Sequence, residues 1–456
     1  MTKTVLLWLR NDLRIADNPA LTAAIAAGDK VEALYVHETD RGLRPRGAAS
    51  RWWLHHSLNA LVEDLGRLGI GLEVVEGDSG RLLPERAKGA ATVMWNRRYG
   101  PAEREHDAAI KAELKRNGIE AQSHPGNVLL EPFEIATKTG NPYSVFTPFW
   151  QTLKQRDIPA PLPRPSGRDA ERVPTVDADY REPDWGKKLG AHWSIGEAAA
   201  QDRLAAFVDD LVAEYPAGRD LPAKQATSRL SPYLAHGEIS ARQIWHAAMA
   251  TSHAEPGKAE PIWKFLSELA WRDFNHHQLY YRPDIAKVPM VEKYGRLEWQ
   301  PDTEGLSRWS KGMTGIPIVD AGMRELWETG YMENRVRMLT ASLLAKNLLV
   351  DWRQGEEWFW DTLLDADAAS NPGNWQWVAG SGLDASPFFR IFNPVTQGEK
   401  FDAAGEYVRR WVQEVRNLPD DRVHRPWESG GVAGYPDPIV DLKATRERAL
   451  EAFKAL

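Results

Sequence analysis

The chain has 456 residues, enough for two to four domains, and its 43% hydrophobic and 27% charged residues are the balance of an ordinary globular protein. Its 57 Lys and Arg against 64 Asp and Glu give a formal net charge of −7, which excludes a surface-wide affinity for nucleic acid and requires any such partner to meet a local basic face. Cysteine is absent, which removes disulfides, thiolate nucleophiles, Cys-ligated zinc and ordinary iron–sulfur clusters.

In chain order, TVLLWL at 4–9 predicts a buried strand, and Asn18 before Pro19 predicts a helix running to Gly28. VEALYVH at 31–37 reads as a second strand, 50–69 as a long amphipathic helix, and LEVVEG and ATVMWN as third and fourth strands. Strands alternating with helices imply an α/β domain over 1–130 with a parallel, Rossmann-like sheet; five strands are expected, four of them read here. No GxGxxG follows its first strand, so a dinucleotide fingerprint is missing. The opening MTKTVLLWLRNDLR is too soon charged for a secretory signal, and no apolar run approaches the ~18 residues of a membrane span. A cytoplasmic protein with no membrane partner is expected. The stretch PAPLPRPSGRDAERVP sits in a segment, 131–195, that reads as an interdomain linker. Beyond 196, helical periods at 197–214, 239–250, 258–278, 316–329 and 333–350 predict a larger all-α domain over 196–456.

Four segments of that second half carry chemistry. Thr227, Ser228, Arg229, Leu230 and Ser231 bring three hydroxyls and a guanidinium to the start of a helical stretch, which suits either a phosphate or a capped helix start. Glu268, Trp271 and Arg272 share one helix face and read either as a site or as an intrahelical Glu–Arg pair beside a core indole. Asn334, Arg337 and Met338 share another face, with Arg335 turned elsewhere. Asp365 and Asp367 precede Asn371, and these acids and amides suit a ribose or a heterocycle edge better than a metal, because the spacing matches no EF-hand. Trp375 and Trp377, if helical, lie about 200° apart and serve opposite surfaces. The 20 tryptophans outnumber the 12 tyrosines and the 12 phenylalanines. Most are expected to fill cores, and a few to serve as stacking or electron-donating groups.

Together TSRLSPYL, ELAWRDF, ENRVRM, LLDADAASNPGNWQW and FFRIFNPVTQGEKFD closely resemble the FAD-binding domain of the photolyase/cryptochrome family, and WLRNDLRIADNPAL resembles that family's opening. The resemblance covers nearly the whole chain, with the motifs in family order. It implies FAD bound in the helical domain. Tyr215, the segment Thr227 to Ser231, Glu268, Arg272, Asn334, Arg337, Asp365, Asp367 and Asn371 match cofactor-contacting positions, with Asn334 beside flavin N5 and Arg337 paired with Asp365. Trp375, Trp352 and Trp299 match the family's electron relay, ordered from flavin to solvent.

The resemblance further implies light-driven repair of cyclobutane pyrimidine dimers in DNA, by a deoxyribodipyrimidine photo-lyase of class I or the related class III. Trp271 and Trp377 match the indoles that sandwich the flipped dimer, Glu268 the acid that hydrogen-bonds it, and Met338 a residue packed against it. Arg219, Arg335, Arg390 and Gln397 are candidates for a basic DNA-binding rim. A cryptochrome-like photoreceptor is the alternative. Many cryptochromes replace the amide at position 334 and extend the C-terminus. Glu103 matches an antenna contact. Ala102 stands where Asn often precedes it, which leaves methenyltetrahydrofolate or 8-hydroxy-deazaflavin as the antenna. Tyr331 and Asn275 depart from the best-known branch and point to a bacterial sister class nearer the plant cryptochromes. A monomer is expected.

Overall fold

A computed structural model describes residues 3–166, 180–282, 284–384 and 390–456. In chain order it contains β1 (Thr4–Leu9), α1 (Pro19–Ala27), β2 (Lys30–Glu38), α2 (Ala48–Gly66), β3 (Gly71–Gly77), α3 (Ser79–Arg86), β4 (Thr92–Asn96), α4 (Pro101–Arg116), β5 (Glu120–His124) and α5 (Phe146–Leu153). Helices α6 (Gly186–Leu189), α7 (Glu197–Ala206), α8 (Tyr215–Gly218), α9 (Ser231–His236), α10 (Ala241–Ala254) and α11 (Ala259–Tyr281) follow. The remainder is helical: α12 (Thr303–Ser310), α13 (Pro317–Thr329), α14 (Asn334–Ser342), α15 (Trp352–Thr362), α16 (Ser370–Ala379), α17 (Pro394–Phe401), α18 (Glu406–Trp411) and α19 (Leu442–Lys454).

The five strands pair in the order β3-β2-β1-β4-β5, all parallel. Central β1 is apolar on both faces because helices cover both, as a parallel sheet requires. The first helix starts where expected, with the Asn18 side chain accepting from Leu21 N and Pro19 in the first turn.

The chain forms two compact units, one of Met1–Ala213 with Ser228–Pro283, the other of Glu214–Thr227 with Asp284–Leu456. This division departs from the expected boundaries at 130 and 196, because α7 and α9–α11 belong with the sheet. Buried polar anchors explain it. Asp17, fully buried, accepts from Ser240 Oγ (2.5 Å) and from Arg242 (2.6 and 3.2 Å). Glu238 accepts from Trp53 Nε1 (3.0 Å), and Asp273 from Leu129 N (2.7 Å). Burial pushes the carboxyls of Glu238 and Asp273 up to about 8 and about 7.

The segment expected to be a linker contains α5, whose Phe146 and Phe149 pack on Phe274 of α11, and residues 167–179 of it lie outside the described residues. Phe388 and Phe389 of the FFRIFNP motif also lie outside them. The expected helices at 197–214 and 333–350 both change pitch. α7 passes into a π-turn at Phe207–Leu211, and α14 into one at Leu343–Asn347. Among the described residues no helix is long and apolar enough to cross a membrane.

Candidate functional site

In the helical unit, α14 carries Asn334, Arg335, Arg337 and Met338, and α16 carries Asn371, Trp375 and Trp377. Glu333 precedes α14, and its carboxylate accepts from the Thr227 hydroxyl (2.9 Å), so Thr227 is tied to the helix start. From there the side chains diverge as their spacing dictates. The Asn334 amide lies 3.7 Å from Met338 Sδ, one turn on. Arg337 makes a two-pronged pair with Asp365 (3.0 and 2.8 Å), and its Nε donates to Met332 O (2.6 Å). Burial alone would make that guanidinium easier to deprotonate, but Asp365, together with Tyr331 and Glu333, turns the net shift upward.

Asp367 takes a different part. Its carboxylate accepts from Ala369 N and Ser370 N (2.8 and 2.6 Å) and so closes the start of α16. The Asn371 amide donates to Glu356 of α15 (2.8 Å), which anchors α16 sideways. Trp375 and Trp377 emerge on opposite sides of this helix. Trp375 is 2% exposed and meets Phe359 and Trp309 edge-on, with ring centroids 5.1 and 6.2 Å away. Trp377 stays half-buried. Gly355 of α15 admits the Trp375 ring, because a Cβ there would run into it. Trp352 is fully buried at the first position of α15, and Trp299 is half-buried.

Tyr215 is buried, with the Arg219 guanidinium 5.3 Å over its ring. Arg335 pairs with Asp220 (2.8 Å) and lies over Phe401, so its head is held within the unit. Arg390 is exposed and Gln397 half-buried.

In the sheet-bearing unit, Arg229 has φ +50, a left-handed conformation that a non-glycine residue seldom adopts, and its guanidinium lies 4.4 Å over Trp193. Leu230 occupies the N-cap of α9 and Ser228 Oγ accepts from Leu230 N at 3.4 Å, so the expected side-chain cap of a helix start is missing here. On α11, Glu268 pairs with Lys264 (3.1 Å), and Arg272 donates to Asn127 O (2.7 Å). Trp271 stacks face to face on Phe146, with centroids 3.8 Å apart, which fixes its ring plane. Glu103 turns back to accept from Gly100 N (3.0 Å), a capping contact at the start of α4. Glu38, Asp40 and His106 bring ligand atoms within 4.8 Å of one another, but all three are within hydrogen-bonding reach of Ser79 Oγ, and Arg98 pairs with Glu38.

Residues 5–166 match the family model described as DNA photolyase, and residues 265–455 the one described as the FAD binding domain of DNA photolyase. Over its whole length the chain is 46% identical to the deoxyribodipyrimidine photo-lyase of Agrobacterium fabrum, covering 98% of that protein. The chain belongs to the photolyase/cryptochrome family. It superposes with a TM-score of 0.94 and 45% identity on the bacterial class III photolyase from Agrobacterium tumefaciens, covering 100% of this chain and 98% of that one. A Synechocystis cryptochrome aligns with TM-score 0.90 and 30% identity over 99% of both chains. Both folds expected from the family resemblance are therefore present, and the helical region includes a photolyase-type FAD-binding domain.

The donor set suits that cofactor. An Arg–carboxylate pair can hold an anionic heterocycle, and an amide can donate to or accept from a ring nitrogen as its protonation changes. Sequence reading missed Glu333, Glu356, Gly355 and Phe146. Each acts by placing a named site residue, and only Glu333, adjacent to Asn334, had a signal in its position.

Proposed function

We propose that the protein is a light-driven deoxyribodipyrimidine photo-lyase of class III that repairs cyclobutane pyrimidine dimers in DNA in the cytoplasm. Its full-length likeness to a photolyase of that class carries this reading. Asn334, the amide that many cryptochromes replace, favours it over a photoreceptor.

Reduced FAD, when bound and excited by blue or near-UV light, supplies one electron to the dimer and regains it after the ring opens, with no net redox change. The chain's own residues bind, orient and shield. Tyr215 and Thr227–Ser231 would hold the cofactor's phosphate-bearing part. Arg337 and Asp365 would hold its ring, Asn334 would offer an amide to a ring nitrogen, and Arg272, Asp367 and Asn371 would complete the set. Trp271 and Trp377 each offer a ring face to the flipped dimer, Met338 packs on it, and Glu268 hydrogen-bonds its carbonyl. Extrusion of such a base is the base-flipping strategy, for which photolyases are a named example. The indoles also exclude water from the reacting bonds.

Arg219, Arg390 and Gln397 contact the DNA, and Arg335, whose guanidinium pairs with Asp220, is a further candidate for that rim. Trp299, Trp352 and Trp375 carry electrons inward to reactivate the enzyme. Their burial, half-exposed at Trp299 and complete at Trp352 and Trp375, supports that direction.

The antenna is methenyltetrahydrofolate. In open α/β sheets a flavin-like ligand sits where strand order reverses, here between β1 and β4. Past those strand ends the ion pairs of Arg10 with Asp107 and of Arg98 with Asp107 and Glu38 already engage one another's charges.

The test is repair of dimer-containing DNA by reduced holoprotein in blue light and in darkness, with the pigment spectrum recorded. Light-dependent loss of dimers is expected. Photoreduction without repair would reassign the protein as a photoreceptor.

A further inference from the structure

We propose that Lys346 and Ser342 are positioning residues for DNA, holding from within the helical unit the backbone that presents Arg390 to a phosphate. The inference rests on the reading of Arg390 as a DNA contact.

Helix α14 presents Asn334, Arg337 and Met338 along its first half. Its continuation slips into the π-turn Leu343–Asn347, closed by the bond from Leu348 N to Leu343 O (2.9 Å). Such turns insert a residue into the helical ladder, re-aim the following side chains, and recur at functional sites. Here the slip brings Ser342 and Lys346 to the same short stretch of chain. Phe392 N donates to Ser342 Oγ (3.3 Å), and Lys346 Nζ donates to the carbonyl of Arg390. The next residue, Asn347, faces away. Its amide donates to Thr445 Oγ1 (2.9 Å), and Arg448 donates to its carbonyl (2.6 Å). The turn is thus fastened to α19 on one side, and residues 390–392 hang from it on the other.

Packing does not explain an ammonium at this position. Lys346 is 2% exposed among Leu343, Leu344 and Ala345, where a methionine would fill the space without desolvating a charge. Burial, and after it the charge of Arg390, pushes the amine down to about 7. What a lysine adds is a donor long enough to reach a carbonyl that α14 cannot otherwise contact. Arg390 itself is exposed, and three residues on Asn393 opens α17 by accepting from Val395 N (3.0 Å). Fixing 390–392 therefore fixes the base of the Arg390 side chain and the start of the helix that carries Gln397.

The test is equilibrium binding of a dimer-containing duplex to the FAD-loaded full chain, at several salt concentrations. The proteins are the parent, Lys346→Met, Ser342→Ala, Arg390→Ala and the double variant Lys346→Met/Arg390→Ala. Lys346→Met is expected to raise Kd roughly tenfold and to lower the slope of log K against log salt by about one, as Arg390→Ala does. The double variant is expected to bind no worse than Arg390→Ala, because both changes remove the same contact. Ser342→Ala deletes one hydroxyl and is expected to shift Kd in the same direction by less, so it decides the matter should Lys346→Met fail to fold. In Lys346→Met and Ser342→Ala the FAD spectrum and the repair yield per absorbed photon at saturating DNA should match the parent, which separates positioning of DNA from damage to the flavin site. Parental Kd and salt slope in Lys346→Met, or in Ser342→Ala where that variant decides, or full additivity in the double variant, would overturn the inference. If Arg390→Ala binds as the parent does, the reading of Arg390 fails and the inference falls with it. If Arg390→Ala weakens binding while the two positioning variants do not, the inference alone fails.

Discussion

Asp17 in the sheet-bearing unit and Trp375 in the helical unit are both almost wholly buried, yet they are held in opposite ways. Asp17 sits at φ +50 and is clasped by a guanidinium, a hydroxyl and the backbone N–H of Leu162. Trp375 is held by the shapes around it: Phe359, Trp309 and the missing Cβ of Gly355. The sheet-bearing unit gathers distant stretches of chain, and directional charged bonds specify which loop meets which helix. The helical unit brings neighbouring helices together over a large apolar core, where interlocking rings suffice. The relay proposed for Trp375 would also be better served by packing than by fixed charge, since a nearby ion shifts how readily a ring gives up an electron.

The contrast makes graded predictions. Removing one partner of a buried pair strands the other, so Asp17→Ala should cost about 3–5 kcal/mol in urea unfolding, with Arg242 left uncompensated. A loss under about 1 kcal/mol would show that charge does not tie that unit. Overpacking should cost less. Gly355→Ala should destabilise by about 1–3 kcal/mol and slow photoreduction of the flavin, because the Trp375 ring must move. Photoreduction at the parental rate would detach Trp375 from the relay. Trp377→Ala should leave FAD bound and weaken dimer-DNA binding by about 1–3 kcal/mol, the worth of one stacking face in a titration. Equal affinity would remove Trp377 from the substrate surface.

The smallest effect belongs to a half-exposed pair of the helical unit, Arg324 with Glu414 (2.8 and 3.0 Å). The hydrogen bond from Arg324 holds the Glu414 carboxyl below its ordinary range. Its contribution is therefore present above the unfolded value near 4.5 and is lost as pH falls through the lower folded value. Glu414→Gln should lower stability by less than about 1 kcal/mol at neutral pH, and its unfolding midpoint should meet the parent's in acid. A gap that persists in acid would assign the contact to shape.

Strands β1, β2 and β4 were legible because the buried strands of a parallel sheet carry apolar runs, and the edge strand β3 because LEVVEG keeps enough apolar residues between its acids. The sequence of β5, EAQSH, is polar and reads as nothing, since it lies at the sheet edge and its order comes from pairing with β4. The helical periods were legible, but the two π-turns were not, because the apolar pattern runs on while the hydrogen-bond ladder slips. The unit boundaries were hidden for another reason. The anchors that draw α10 and α11 to the sheet join residues far apart in sequence, 225 positions for Asp17 with Arg242 and 144 for Leu129 with Asp273. At the site, spacing separated Arg335 from Asn334 and Arg337, and Trp375 from Trp377, correctly. It did not foresee that Glu268 meets Lys264, that Thr227 meets Glu333, or that Asp367 closes a helix, since each depends on rotamer choice or on chain brought in from elsewhere.

One further consequence follows from α16. Asp367 fastens its first turn, Asn371 its flank, and a left-handed Gly380 its end, so the helix shifts as one rigid bar. Trp375, proposed to feed electrons, and Trp377, proposed to meet the lesion, are bolted to opposite sides of that bar. A mutation that tilts it to accept a bulkier photoproduct would also detune charging of the cofactor, so a new substrate range and a working electron supply must be selected together.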